Sequence, residues 1–286
     1  MIKEAYFYKK HNDTIICTLC PNACKFEKDK DIGKCLAYRR DKDILISENY
    51  AKITSIALDP IEKKPLSRYL PKSNILSIGT FGCNMHCPFC QNSEISQTKV
   101  DYTEVSPQKL LQKALELVKN GNIGIAFTYN EPFVWYEFVY ETAKLFKENS
   151  LNVVLVTNGQ INSKPLEKIL PFIDALNIDL KSIKAEFYND YCFGNLNTVK
   201  NTIKKCHENG KHIEITNLVI PQKNDTFEEF EELTDFVKTI SEYIPLHISR
   251  YFPRYKEDIL QTPIHTINKF KEIAEKKLKF VYTGNV

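Results

Sequence analysis

From Pro107 onward, short apolar runs of β type alternate with amphipathic stretches of helical period, the pattern of βα units around a mainly parallel sheet. Strands are predicted at 75–78, 124–127, 153–156, 175–178, 213–219 and 246–248, and an apolar run at 278–282 is a seventh candidate. Helices are predicted between them at 107–119, 133–148, 163–170, 196–208, 227–241 and 266–276. Six βα repeats are two short of a closed eight-stranded barrel. The pattern therefore predicts an α/β fold, a partial (β/α)6 TIM-like barrel over residues 71–286. Its chemistry is expected at the C-terminal ends of the strands. Polar sets follow those strands in turn: Gly-Thr-Phe-Gly-Cys, Thr-Tyr-Asn-Glu-Pro, Thr-Asn-Gly, Asp-Leu-Lys, Pro-Gln-Lys-Asn-Asp and Ser-Arg-Tyr-Phe-Pro. Residues 1–70 lack this rhythm and read as an N-terminal four-cysteine appendage that binds metal.

Composition narrows the class. At 286 residues with 43% hydrophobic and 26% charged side chains, the chain can bury a sizeable core and is not a disordered one. The net charge is only +3, with Lys and Glu interleaved, which gives no argument for nucleic acid. No apolar run approaches the roughly 20 residues of a spanning helix, and the N-terminus has no basic segment followed by an apolar one. A cytoplasmic protein with no membrane partner is expected. Seven of the nine cysteines fall in two groups, Cys17, Cys20, Cys24, Cys35 and Cys83, Cys87, Cys90. Without an export signal such groups point to metal or cluster ligation rather than disulfides. Cys192 and Cys206 stand apart and read as small buried hydrophobes.

Cys83, Cys87 and Cys90 have the spacing C-x3-C-x2-C on a loop leaving the first predicted strand. A 4Fe-4S cluster is usually held by four cysteines, so three leave one iron open. S-adenosylmethionine (SAM) can chelate an open iron through its amine and carboxylate, and one electron from the cluster then breaks its C5′–S bond. A zinc site formed by these three thiols and His86 has a compatible spacing. The barrel mouth and the polar sets at successive strand ends argue for the cluster.

The loop resembles the signature of the radical SAM superfamily. The string Ser-Ile-Gly-Thr-Phe-Gly-Cys-Asn-Met-His-Cys-Pro-Phe-Cys-Gln-Asn is similar to the AmmeMemoRadiSam branch, itself related to pyruvate formate-lyase activating enzymes. Further matching strings begin at Asp59, Tyr129, Ile178, His247 and Tyr282, so the resemblance spans nearly the whole chain. It implies a barrel of the radical SAM type, a 4Fe-4S cluster, SAM, oxygen-free chemistry and an electron donor such as flavodoxin or ferredoxin. Memo-like and AMMECR-type protein partners are implied by the same branch. Similar proteins often continue past the Gly-Asn at 284–285 into a cysteine-bearing tail, whereas this chain stops at Val286.

By the same resemblance, Phe89 packs near the adenine and Glu131, beside Asn130, contacts the SAM amino group. The stretch Thr128-Tyr129-Asn130-Glu131 departs from the common Gly-Gly-Glu. Thr157 and Asn158 correspond to ribose or carboxylate contacts. Asp179 and Lys181 match the Asp-x-Lys of glycyl-radical activases, where Lys holds the SAM carboxylate. His247, Ser249 and Arg250 offer polar groups to adenine or substrate, and Asp59 to Leu66 reads as a substrate or partner surface or a charged turn. The four N-terminal thiols suit zinc, a single iron or an auxiliary iron–sulfur cluster, and ligand softness does not choose among them. The expected function is generation of a 5′-deoxyadenosyl radical that abstracts hydrogen from an unidentified substrate. A glycyl-radical activase is the neighbouring reading and a non-catalytic zinc scaffold the rival from another class.

Overall fold

The computed structural model describes residues 2–286. Seven parallel strands follow one another in space as they do in sequence: Asn74–Gly79, Asn122–Phe127, Asn152–Thr157, Ala175–Asp179, His212–Val219, Leu246–Arg250 and Val281–Gly284. The predicted last strand thus exists, shifted toward the C-terminus and paired in parallel with the sixth. An eighth strand, Ser55–Pro60, joins the open edge antiparallel to the first. The barrel sheet therefore takes in residues that the sequence pattern had placed in the appendage. No periodicity announced this, because one antiparallel edge strand carries no βα repeat.

Helices cover the outer face because each buries an apolar stripe against the sheet, and three of them have a capped start. Ser106 accepts from the Lys109 N–H at 3.3 Å to open Pro107–Glu116, Asn195 from Thr198 at 2.9 Å to open Leu196–Glu208, and Thr226 from Glu229 at 3.3 Å to open Phe227–Ile240. Leu110, Val199, Ile203, Phe230 and Val237 from these helices are buried in one core with Leu76, Ile125, Leu155 and Ile178 of the strands. Alternate strand residues face inward, where Ile75, Ala126, Val154 and Ala175 pack with Ile61 and Leu66.

Ile61 and Leu66 belong to a strap, residues 61–70, that closes the N-terminal end of the barrel. The Ser67 and Arg68 N–H groups donate to the Glu214 carboxylate at 3.0 and 2.7 Å, and Asn177 Nδ2 donates to the Pro65 carbonyl at 2.8 Å. Asp59 accepts from Lys64 and from the Tyr129 hydroxyl, both at 2.8 Å, while the Lys64 ammonium lies 4.7 Å over the Tyr129 ring. The Asp59 to Leu66 string is thus the barrel floor, not a partner surface: Ile61, Lys64 and Leu66 are buried.

The N-terminal segment forms two small antiparallel sheets, one from Tyr8–His11, Thr14–Cys17 and Lys25–Phe26, the other from Lys3–Glu4, Tyr38–Asp41 and Ile44–Ser47. Both dock on the barrel. Trp135 Nε1 donates to the Asn49 carbonyl at 2.7 Å, and the Tyr38 hydroxyl to Glu137 at 2.9 Å. Asn162, on the loop after the third strand, donates to the Thr18 and Leu19 carbonyls at 2.8 and 2.9 Å. No helix among the described residues is long and apolar enough to cross a membrane.

Candidate active site

The loop after the first strand carries Cys83, Cys87 and Cys90, and the structure supplies each sulfur with a hydrogen-bond partner. Cys83 Sγ accepts from the Met85 N–H at 3.4 Å and from Asn158 Nδ2 at 3.5 Å. Cys90 Sγ lies 3.1 Å from the Ser96 hydroxyl. The Cys192 thiol donates to Cys87 and lowers its pKa below the ordinary thiol value, while burial pushes Cys192 up. Burial pushes Cys83 and Cys90 up as well, so these thiols ionise when a cation compensates the charge. Donors aimed at sulfur favour the thiolate. The set fits an iron–sulfur cluster with three protein ligands.

The zinc alternative fares worse. Among the described residues no three Cys, His, Asp or Glu side chains draw together as a single-ion cage requires. His86 Nδ1 lies 2.6 Å from the Gln97 carbonyl oxygen, so the ring is held by its own loop.

The loop is held from two sides. Asn130 accepts from the Thr80 N–H at 3.1 Å and donates to the Gly82 carbonyl at 2.9 Å, bracing the chain just before Cys83. Gly82 adopts φ +96°, and a Cβ there would stand 2.3 Å from the Cys35 carbonyl oxygen, so only glycine fits. Asn158 Nδ2 also donates to Asn84 Oδ1 at 2.9 Å, and Asn84 Nδ2 donates to the Gln160 carbonyl at 2.7 Å.

Glu131 is held by partners within the chain. Its carboxylate, 2% exposed, accepts from the Phe133 N–H at 2.9 Å, the Thr157 hydroxyl at 2.7 Å and the Asn158 N–H at 2.7 Å. With three internal donors on two oxygens it positions Thr157 and Asn158. Burial pushes its pKa up to about 7. The residue caps the short helical turn Pro132–Trp135, which turns its side chain back toward the third strand.

Asp179 and Lys181 leave the fourth strand beside the thiols. Lys181 Nζ is 2.7 Å from Asp179 Oδ2 and 6.0 Å over the Phe89 ring. Burial pulls the ammonium toward neutrality, but Asp179 and then Cys87 and Cys192 outweigh it, and its pKa lies well above the ordinary lysine value. Phe89 packs against Phe187 and Tyr191 with ring centroids 6.2 and 5.3 Å away. These aromatics and Cys192 come from a π-helical turn, Phe187–Cys192, whose Tyr188 hydroxyl accepts from the Lys181 N–H at 3.0 Å.

His247 also differs from expectation. It lies three residues below the end of the sixth strand, and its Nε2 is 2.6 Å from Glu214. It belongs to the floor, together with His212 Nε2 at 2.9 Å from the same carboxylate. Arg250 donates to the Thr262 carbonyl at 2.7 Å and its guanidinium lies 4.9 Å over Phe252, at the mouth. Ser249 faces Gly284 of the seventh strand, its hydroxyl 3.3 Å from where a Cβ would stand. The sequence reading missed Cys192, Asn84 and Ser96. Asn84 and Ser96 lie in or near the motif and were legible by position, whereas Cys192 carries no spacing signal.

A partial barrel with a three-thiol loop at its mouth, backed by a half-buried Asp–Lys pair, defines a class of barrel enzyme with its polar residues gathered at the strand ends. The chain belongs to the Radical SAM superfamily, whose family model matches residues 77–237. It is 38% identical, over all of its length and 86% of the relative's, to an uncharacterized protein of Methanocaldococcus jannaschii. It is 23% identical to the pyruvate formate-lyase-activating enzyme of Clostridium pasteurianum, over 67% of this chain and 76% of that one. The fold is shared with Streptococcus suis SuiB bound to S-adenosylmethionine at TM-score 0.59 and 15% identity, over 74% of this chain and 52% of that one.

Proposed function

We propose that the protein holds a 4Fe-4S cluster on Cys83, Cys87 and Cys90, cleaves SAM reductively and directs the resulting radical at a C–H bond of its substrate. The observation that carries this reading is the loop itself: three thiols at a barrel mouth, each with a hydrogen-bond partner at its sulfur. When bound, the cluster and SAM together supply one-electron cleavage of the C5′–S bond to a 5′-deoxyadenosyl radical. The chain's own residues bind, orient and shield. Lys181, held charged by Asp179, offers a cation to the SAM carboxylate. Phe89, with Phe187 and Tyr191 behind it, gives a flat apolar wall for adenine. Thr157 and Asn158, fixed by Glu131, line the opposite side and hold Cys83 in place.

Relatives named as activating enzymes support a narrower reading, in which the hydrogen comes from a glycyl residue of a partner protein and the electron from a flavodoxin or ferredoxin. Memo-like and AMMECR-type partners are part of the proposal through the branch resemblance. The test is anaerobic reconstitution with iron and sulfide, addition of SAM and dithionite, and quantification of 5′-deoxyadenosine. Product from the wild type and none from a Cys83→Ala/Cys87→Ala/Cys90→Ala variant is expected. Equal product from both, or a wild type that takes up zinc and no iron, overturns the reading.

A further inference from the structure

Four thiols lie outside the site just described, and the structure brings them together. Cys17, Cys20, Cys24 and Cys35 come from two strand ends and two turns, yet all four line one small cavity. Its remaining wall includes Leu19, Phe26, Tyr38 and Val134, and no Lys, Arg, Asp or Glu lines it. Thiols gathered this way from separate turns, with no disulfide among them, form a soft-ligand site.

Their local geometry repeats that of the central loop. The N–H two residues on lowers the thiol pKa in three cases, Leu19 for Cys17, Asn22 for Cys20 and Ala37 for Cys35, although burial outweighs it each time. Met85 donates to Cys83 in the same register at 3.4 Å. Such donors stabilise a thiolate and do little for a neutral thiol. Ala23 and Leu36, adjacent to Cys24 and Cys35, take left-handed φ values of 44° and 64°, a conformation that L-residues rarely adopt without a local reason.

The four thiols do not converge as a single-ion cage, a trait shared with the central three thiols, and the likeness favours the same kind of centre at both sets.

The two cysteine sets touch. The Asn84 side chain is near enough to Cys20 to lower its pKa, its Oδ1 accepts from Asn158 at 2.9 Å, and Asn158 donates to Cys83 at 3.5 Å. On the other flank the Cys35 carbonyl lies against Gly82, the residue before Cys83.

We propose that Cys17, Cys20, Cys24 and Cys35 ligate a second, multi-iron iron–sulfur cluster that exchanges single electrons with the Cys83, Cys87 and Cys90 centre through the Asn84–Asn158 path. A low-potential donor of the flavodoxin or ferredoxin class loses one electron to the N-terminal cluster. That cluster passes the electron on and returns to its oxidised form. Ligation stands independently, whereas the transfer rests on the radical SAM reading.

The experiment is anaerobic reconstitution of the wild type and of Cys83→Ala/Cys87→Ala/Cys90→Ala, which leaves the four thiols intact, followed by iron, zinc and acid-labile sulfide assays. The variant is expected to keep about two to four iron and as many sulfide per chain. One metal without sulfide, or none, overturns the proposal. Should circular dichroism show that variant unfolded, the wild-type count decides: about six to eight iron supports the second cluster and about four overturns it. Electronic contact is read from the reduced electron paramagnetic resonance signal of the wild type against Cys20→Ser/Cys24→Ser. Faster spin relaxation in the wild type is expected, and identical power saturation removes the transfer half. A variant that keeps its cluster while the wild type makes no 5′-deoxyadenosine sinks the SAM reading and spares the second site. The converse result sinks the second site alone.

Discussion

The Glu131 carboxylate grips the Asn158 backbone, its Oε2 accepting that N–H at 2.7 Å, and so ties the end of the second parallel strand to the end of the third. Asn158 in turn donates to Cys83, so a buried acid controls the placement of a proposed cluster ligand from one residue away. Glu131→Gln keeps the shape but turns an amide donor toward one of these N–H or O–H donors. Formation of 5′-deoxyadenosine is expected to fall by roughly tenfold or more, in line with about 1.5–3 kcal/mol for a hydrogen bond to a charged group. Unchanged turnover at unchanged iron content would remove Glu131 from the positioning scheme.

The same residue sets a pH dependence of stability. Burial raises Glu131 from 4.5 to about 7, so the folded state binds its proton more tightly than the unfolded chain does. Stability therefore falls as pH rises from about 4.5 to about 7 and is flat above, by an order of about 3 kcal/mol. Urea titrations of the metal-free protein at pH 5 and pH 8 check this, with Glu131→Gln expected to lose most of the difference.

Glu214 carries the opposite sign. Burial alone would raise it, but His212, His247 and the Arg68 N–H hold it at about 2. Its contribution is present above about 4.5 and is lost as pH falls toward about 2, again on the order of 3 kcal/mol. Glu214→Gln is expected to destabilise the fold at pH 7 by roughly 3–5 kcal/mol, because buried donors lose a charged partner. Its acid transition should be shallower than that of the wild type, and an acid transition as steep as the wild type's would contradict the assignment.

Lys181→Met removes the cation beside Phe89 and leaves Asp179 without its partner 2.7 Å away. Loss of an oriented charge at a reaction centre costs on the order of 10²-fold in rate. A drop of that size in 5′-deoxyadenosine with iron content preserved is expected. Wild-type rates would place the Asp–Lys pair outside the chemistry.

Gly82→Ala puts a methyl group 2.3 Å from the Cys35 carbonyl and keeps a φ of +96° that alanine resists. Strain of about 1–3 kcal/mol plus the clash is expected to lower the midpoint of thermal unfolding by several degrees. Iron uptake should fall with it, because the displaced loop carries Cys83. A neutral substitution would mean that the two cysteine segments are not pressed together.

The barrel, its six helices and the placement of the three-thiol loop were legible because they rest on local periodicity and on spacing within one loop. What the sequence concealed depends on pairs far apart in the chain. Nothing near Glu214 announces that Ser67 and Arg68 will meet it, and nothing near Cys192 announces Cys87. Glu131 shows a subtler limit. A carboxylate at a strand end looks the same in sequence whether or not three internal donors already hold it. His247 was misplaced for a related reason, since strand alternation puts it inside the barrel but does not say how far down.

The strap across the barrel's base makes the interior a blind alley. With Ile61, Lys64 and Leu66 sealing one end, nothing enters or leaves through the base. What remains open is the mouth and the side gap between the two unpaired edges, Ser55–Pro60 and Val281–Gly284. On the proposed chemistry, a bulky substrate would not thread the barrel from end to end and would offer its reacting atom on a protruding loop or an end.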